Sequence, residues 1–246
     1  MPNWVYNNLT IKAKNEKRLM EVIKEITSEE DGKMVLDFNK IIPTPANVFQ
    51  GSYNKSTIKA LNAYVNINNL KTDEELNKVL KDPHWEDITP KFEFIDMTKE
   101  EFVEKYKDMD YKPKVKIISW YDWNTENWDT KWNAYTDNVE ISGNTAYINF
   151  ETAWDAPEDV IKELKRKYPD IVVKWKYWEP MMGWAGANGY YVDTCDSPTE
   201  YIDFLLNNDF IDRPEEIGYT IDEDGNYTYM TDEELEEWEK RGELNG

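Results

Sequence analysis

The chain carries one histidine, His84, and one cysteine, Cys195. A catalytic nucleophile needs a base within hydrogen-bond reach. With one candidate for each role, far apart in sequence, a Cys–His or Ser–His pair has no redundancy, and lone residues of this kind are usually structural. Zinc wants clustered Cys and His, and neither a Walker-type loop nor a dinucleotide fingerprint is present. The Gly-rich segment Gly183 to Gly189 contains the G-x-x-G spacing that clamps a nucleic-acid backbone in KH domains. It carries no Lys or Arg and reads as a connection between strands. Asp222, Asp224, Asn226 and Glu233 hint at a calcium loop. Gly225 falls fourth rather than sixth, however, and the surrounding Thr and Tyr suit a hairpin. Among 50 acids, close carboxylate pairs are inevitable and diagnose nothing. The expectation is a protein that is not an enzyme, with no catalytic residue, no metal and no cofactor.

The most distinctive chemistry is aromatic. Residues 120–135 read W-Y-D-W-N-T-E-N-W-D-T-K-W-N-A-Y, with four tryptophans and two tyrosines in 16 positions. An indole carries one N–H that needs a partner when buried. One reading is therefore a polar-laced core seam, with Asn124, Asn127, Asp129 and Thr130 satisfying backbone and indole groups. The other is a stacking platform for bases built on Trp120, Trp123, Trp128 and Trp132, assisted by Lys174 and Lys176. The acidic balance of the chain opposes the second.

That balance is a net charge of −21, and it is unevenly placed. Residues 193–246 hold 18 Asp and Glu against 3 Lys and Arg, whereas residues 1–192 hold 32 against 26. Such a field repels phosphates and attracts basic surfaces, more strongly at low salt. Segment 193–246 is an acidic appendage to an otherwise ordinary domain. Tyr201, Phe204, Leu205, Phe210, Tyr219, Tyr229 and Trp238 give it something to bury. The single cysteine excludes an internal disulfide framework and fits a reducing cytosol. No stretch approaches the apolar length of a membrane span, and the first ten residues lack the regions of a signal peptide.

The elements that must position these residues follow from periodicity. Val5, Asn7, Leu9 and Ile11 alternate with polar neighbours, which predicts a strand. Leu19, Val22, Ile23 and Ile26 predict an amphipathic helix. Val139–Ile141 and Thr145–Glu151 flank Ser142-Gly143-Asn144 as a hairpin. Asp155-Ala156-Pro157-Glu158 looks like a helix start with a side-chain oxygen at the cap. Val160, Ile161, Leu164 and Tyr168 form that helix's buried face, and Ile171–Trp178 is a strand with Lys174 and Lys176 opposite Val173, Trp175 and Tyr177. The order β-α, a long interruption, then β-β-α-β is the split βαβ pattern of a ferredoxin-like α+β fold. The interruption, about 32–135, holds a helical stretch at 56–65. Thr72, Thr98 and Thr231 each precede a Glu by three residues, as in a capping box. A helix from Ser197 to Asn207, a hairpin turning at Asp224-Gly225 and a short acidic helix, Thr231–Lys240, complete the reading.

Four pieces carry a more specific signal: M-P-N-W-V-Y-N-N-L-T-I at 1–11, L-D-F-N-K-I-I-P-T-P at 36–45, the aromatic run at 120–135, and F-E-T-A-W-D-A-P at 150–157. Together they resemble the YubB-like or Api-type ferredoxin-like proteins of phages and plasmids, over most of residues 1–190. Members usually carry Gly where Asp129 stands and often Cys where Val5 stands. The resemblance implies a mobile-element origin and a ferredoxin-like core. It brings no established activity and no catalytic residues.

The expected function joins these strands. A phage or mobile-element accessory protein would bind and inhibit a host nucleic-acid-processing defence protein, of the kind targeted by anti-CRISPR or anti-restriction proteins. It would do so through an acidic surface that mimics nucleic acid. The expected contacts are Asp222, Glu223, Asp224, Glu233, Glu234, Glu236 and Glu237, set against a basic groove in the partner. This reading involves no direct nucleic acid and no membrane, places the protein in the host cytoplasm, and leaves room for a homodimer through the sheet. The alternative is a single-stranded nucleic-acid or nucleotide binder using residues 120–135.

Overall fold

The computed structural model describes residues 3–51, 55–67, 70–81, 98, 101, 104 and 115–243. His84 lies outside them. In chain order, β1 (Trp4–Lys12) and α1 (Glu16–Ile26) come first. The insertion follows as β2 (Thr27–Glu30), β3 (Lys33–Leu36), α2 (Phe38–Ile41), β4 (Val48–Phe49), α3 (Lys55–Ile67), α4 (Asp73–Leu80), β5 (Ile118–Ser119) and α5 (Trp120–Asn127). The core resumes with β6 (Tyr135–Ser142), β7 (Thr145–Ala153), α6 (Glu158–Lys167) and β8 (Val172–Glu179). Then come β9 (Trp184–Ala187), β10 (Tyr190–Asp193), α7 (Pro198–Asn207), a 3-10 turn (Pro214–Ile217), β11 (Tyr219–Ile221), β12 (Tyr227–Tyr229) and α8 (Asp232–Glu243).

The main sheet runs β10-β9-β8-β1-β7-β6, with every neighbouring pair antiparallel. Its last four strands have the order of a ferredoxin-like β-α-β-β-α-β unit, in which the first and third strands are central. Val5, Leu9 and Ile11 of β1, Ile148 and Phe150 of β7, and Trp175 and Tyr177 of β8 point to one face. There they meet Leu19, Val22 and Ile23 of α1 and Val160, Ile161 and Leu164 of α6 in one buried cluster. The period of two on the strands and the i, i+3, i+4 stripe on the helices are what bring these side chains together.

The interruption is part of that structure as well as an excursion from it. Leu36, Phe38 and Ile41 join the main cluster, and Trp123 and Trp128 join it from the other end of the insertion. Between them, Phe49, Leu61, Val65, Leu76, Val79, Leu80 and Ile117 build a second cluster. The Thr72 side chain accepts from the Glu75 N–H at 3.2 Å while Glu75 accepts from the Thr72 N–H at 3.0 Å, a complete capping box. The same reciprocal bonds link Thr98 with Glu101 and Thr231 with Glu234.

The segment from Gly183 to Gly189 is more than a connection, because residues 184–187 are strand β9, paired to β8 and β10. A Cβ at Gly186 would lie 2.3 Å from the Tyr177 ring and 2.7 Å from the Tyr190 carbonyl oxygen, so this strand is made of small residues for close approach. The acidic segment, in turn, shares a core with the sheet. Ala185, Ala187, Val192 and Trp178 pack under Tyr201, Ile202, Phe204 and Leu205 of α7, so a boundary at 192 runs through a hydrophobic cluster. Trp178 donates its indole N–H to the Tyr201 hydroxyl at 2.7 Å.

Candidate functional surfaces

On the helix-side face, α1 and α6 pack on the ferredoxin-like strands. Beyond them, where β9 and β10 prolong the sheet, a cleft of about 420 Å³ opens. Its wall comprises Asp129, Trp154, Asp155, Ala156, Glu158, Lys162, Tyr177, Trp184 and Tyr191. The rings arise from consecutive strands: Tyr177 on β8, Trp184 on β9 and Tyr191 on β10, with centroids 5.7 Å and 6.4 Å apart along the row. Asp155 and Glu158 arise at the start of α6, and Asp129 from the loop after α5.

That helix start is not capped as its sequence predicts. The N-cap position is Pro157, which makes no side-chain cap bond, and Asp155 accepts instead from its neighbour Ala156 N–H at 2.8 Å. The oxygen that caps the helix comes from far away in sequence, where Asp129 Oδ2 accepts the Asp159 N–H at 2.7 Å. Asp129 sits in the left-handed region at φ 61°, which glycine would occupy without strain. An aspartate there accepts mild strain in exchange for a cap. Burial, opposed by that hydrogen bond, raises the Asp129 carboxyl above its ordinary range. Asp155 is raised in the same way, chiefly by burial. Replacing Asp129 by Ala is expected to cost about 1–3 kcal/mol, the cap plus the left-handed strain of a Cβ. Asp129→Gly, which loses only the cap, should cost clearly less. Urea midpoints at unchanged m-value would check the order.

A buried polar chain ties this turn to the core. Trp175 donates its indole N–H to Asn7 Oδ1 at 3.0 Å, Asn7 donates to Thr152 Oγ1 at 3.0 Å, and Thr152 donates to the Asp155 carbonyl at 2.8 Å. Between Thr152 and Asp155, Trp154 is held at φ 78°. This is an outlier for a bulky residue, and such strain persists only where the surroundings over-determine it. The Lys131 ammonium lies 4.6 Å from the Trp154 ring centroid and 4.4 Å from that of Trp132.

The aromatic run divides between core and surface. Trp123 and Trp128 are 6% and 5% exposed, edge to face at 5.3 Å, and Trp128 packs edge-on against Phe38. They are core side chains, so a platform of all four tryptophans is corrected by their burial. The indoles of Trp120 and Trp128 donate to the Gly51 and Ile42 carbonyls, at 3.1 Å each. The Asn and Thr side chains serve the backbone instead: Asn124 donates to the Lys131 carbonyl, Asn127 to that of Trp123, and Thr130 to that of Trp132. Only Trp132 of the four is substantially exposed. It adjoins Trp4 and, through it, Tyr135, on the sheet face opposite the helices. Tyr6 and Tyr147 stand exposed on the two central strands of that face. Lys174 is exposed there, whereas Lys176 is tied to the Asn208 carbonyl after α7.

The acidic residues picked out by sequence separate into builders and exposed charges. Asp222 accepts the Asp224 and Asn226 N–H groups at 3.0 and 2.8 Å and thereby forms the β11–β12 turn, which holds its carboxyl below the usual range. Glu234 is the capping-box partner of Thr231, and Glu236 pairs with Lys240 at 3.3 Å. Glu223, Asp224, Glu233 and Glu237 are exposed on the hairpin and α8. Cys195 is exposed. Among the described residues no group of three His, Cys, Asp or Glu side chains could hold a metal ion, and no helix is long and apolar enough to cross a membrane.

A β-α-β-β-α-β sheet prolonged by one more hairpin is the architecture of a ferredoxin-like protein. Residues 127–203 match the family model of the ferredoxin-like domain in Api92-like protein, a span that runs from the aromatic loop through β10 into α7. The protein Api92 of Yersinia pseudotuberculosis, known from its crystal structure, is similar at 9% identity with a TM-score of 0.35, over 78% of this chain and 97% of that one. No curated protein matches.

Proposed function

We propose that this is an accessory protein of a phage or other mobile element. It binds a basic protein of its host and blocks it, and the target class is a nucleic-acid-processing defence protein. The observation that carries the reading is the construction of the acidic segment. Its α7 is docked on the sheet through an apolar core, and the hairpin and α8 beyond it present Glu223, Asp224 and Glu233 to solvent. A folded acidic surface holds its charges at fixed spacing without ordering a chain on binding, which favours recognition of a preformed basic groove. A mobile-element origin is what the resemblance of the motifs implies. Catalysis has no role in this reading, and the host cytoplasm is where it would act.

Deleting residues 192–246 is a poor test, because it would uncover the apolar face of Trp178, Ala185 and Ala187. The informative variant is Glu223→Gln, Asp224→Asn, Glu233→Gln, which removes three exposed charges and keeps the Asp222 turn and the Glu234 cap. It should fold like the wild type and retain its host partner at least tenfold more weakly at low salt, as read by affinity capture. Equal retention by the two proteins would move the binding away from this surface.

The exposed rings of Tyr6, Tyr147, Trp132 and Tyr135 favour a second reading, in which the open sheet face stacks single-stranded bases, as the sheets of RNA-recognition domains do. Glu140 and Glu151 on the same face, each paired with Tyr147 or Tyr135 across β6 and β7, weigh against it.

A further inference from the structure

We infer that the cleft between α6 and the β9–β10 hairpin is a binding site for an organic cation: a guanidinium or an alkylated ammonium carried on a thin stem. It uses no residue beyond Tyr191, so it stands apart from the acidic surface after residue 193, and either could fail without the other.

The chemistry of the wall selects the ligand. Trp154, Trp184 and Tyr191 give three partly exposed rings around one cleft, with the buried Tyr177 beneath them, and the faces of aromatic rings attract cations through their quadrupole, tryptophan best. Trp154 already demonstrates the property, since the Lys131 ammonium rests 4.6 Å from its centroid although Lys131 is not part of the cleft wall. Asp129, Asp155 and Glu158 add negative charge. The one cation of the wall, Lys162, is committed to Glu158 at 3.1 Å and Asp159 at 3.0 Å. Asp129 and Asp155 each spend one oxygen on a backbone N–H and have no other hydrogen-bond partner among the described residues, which leaves an oxygen on each for a ligand. The acids are not gathered tightly enough for a metal ion. Rings and dispersed carboxylates instead suit a cation whose charge is spread over several atoms, such as a planar guanidinium. An anion is disfavoured despite the helix start, because Asp129 already occupies the N-terminal N–H that would hold it. The strained backbone of Trp154 fits this role: the Asn7–Thr152–Asp155 chain holds the turn that sets its ring in the wall of the cleft.

The test is a titration of the full chain, followed by tryptophan emission and calorimetry, with agmatine, tetramethylammonium and a capped Gly-Arg-Gly peptide. A capped Gly-citrulline-Gly peptide, neutral and of the same shape, is the control. Saturable binding of a free cation or the arginine peptide, absent for the citrulline peptide, is expected. Preference for the peptide would point to a protein side chain as the source, and preference for agmatine or tetramethylammonium to a free small cation. Trp154→Gly removes the ring and relieves the positive φ, so it should keep or raise the melting temperature while weakening binding at least fivefold. Asp155→Asn should weaken it several-fold. Burial raises Asp129 and Asp155, with Glu158, Asp159 and Lys162 as their charged neighbours. Affinity should therefore decline with falling pH sooner than the titration of exposed aspartates would give. Binding of the citrulline peptide as tightly as the arginine peptide, no saturable signal with any probe, or wild-type affinity in a folded Trp154→Gly would each overturn the site.

Discussion

Replacing Trp128 by alanine is expected to cost about 3–5 kcal/mol of stability, the usual range for emptying a large aromatic position in a core. Its ring is 5% exposed, lies edge-on to Trp123 and Phe38, and is tied to the Ile42 carbonyl at 3.1 Å. The substitution thus leaves a cavity where the insertion meets the sheet and removes the indole donor from a partly buried carbonyl oxygen. Guanidinium denaturation of the two proteins would read it as a lowered midpoint. Trp132→Ala, from the same run, should cost well under half as much, because that ring is 37% exposed. Similar losses at both positions would contradict the division of the run into core and surface.

The second large effect is at Asn7. Its Oδ1 accepts the Trp175 indole N–H, and its Nδ2 donates to Thr152 Oγ1 and to the Val5 carbonyl, all in the interior. Asn7→Leu keeps the volume and removes every one of these bonds. A stranded buried indole N–H alone costs about 1–3 kcal/mol, and Thr152 loses the donor that orients its bond to Asp155. The expected result is a lowered denaturation midpoint with a changed near-ultraviolet circular dichroism signal from Trp175. An unchanged midpoint would mean that water takes over these bonds.

Asn7 also marks how far the sequence could be read. Its alternation with Val5, Leu9 and Ile11 placed it on the inward face, and the β-α, β-β-α-β order gave the ferredoxin-like sheet, because period-two strands and capped amphipathic helices are local signals. What an inward asparagine binds is decided by strands 145 and 168 residues away, which no local pattern records. Strand β9 is hidden in the sequence for a related reason. Its W-A-G-A run has small residues where Tyr177 and the Tyr190 carbonyl approach, and small residues read as a loop. Local spacing puts Asp155 at the cap of α6, whereas the fold supplies Asp129. The aromatic run is plain in the sequence, but burial depends on which side of α5 Trp120 and Trp123 face and on how the loop after it turns Trp128 inward and Trp132 outward. The cleft was least legible, since its wall gathers side chains from residues 129 to 191. Among the acids of the C-terminal segment, Glu234 makes the capping box that its spacing from Thr231 predicts, whereas Asp222 builds the hairpin turn, a role that charge density does not distinguish.

The most direct test of the proposed function is affinity capture from host lysate at low and moderate salt, with nuclease-treated and untreated halves, using the wild type beside the Glu223, Asp224, Glu233 triple variant. The account predicts a protein partner that survives nuclease, weakens as salt rises, and is retained by the wild type but not by the variant. Recovery of nucleic acid, or of nothing once nucleic acid is removed, would contradict it and shift the function to the open sheet face of Tyr6 and Tyr147.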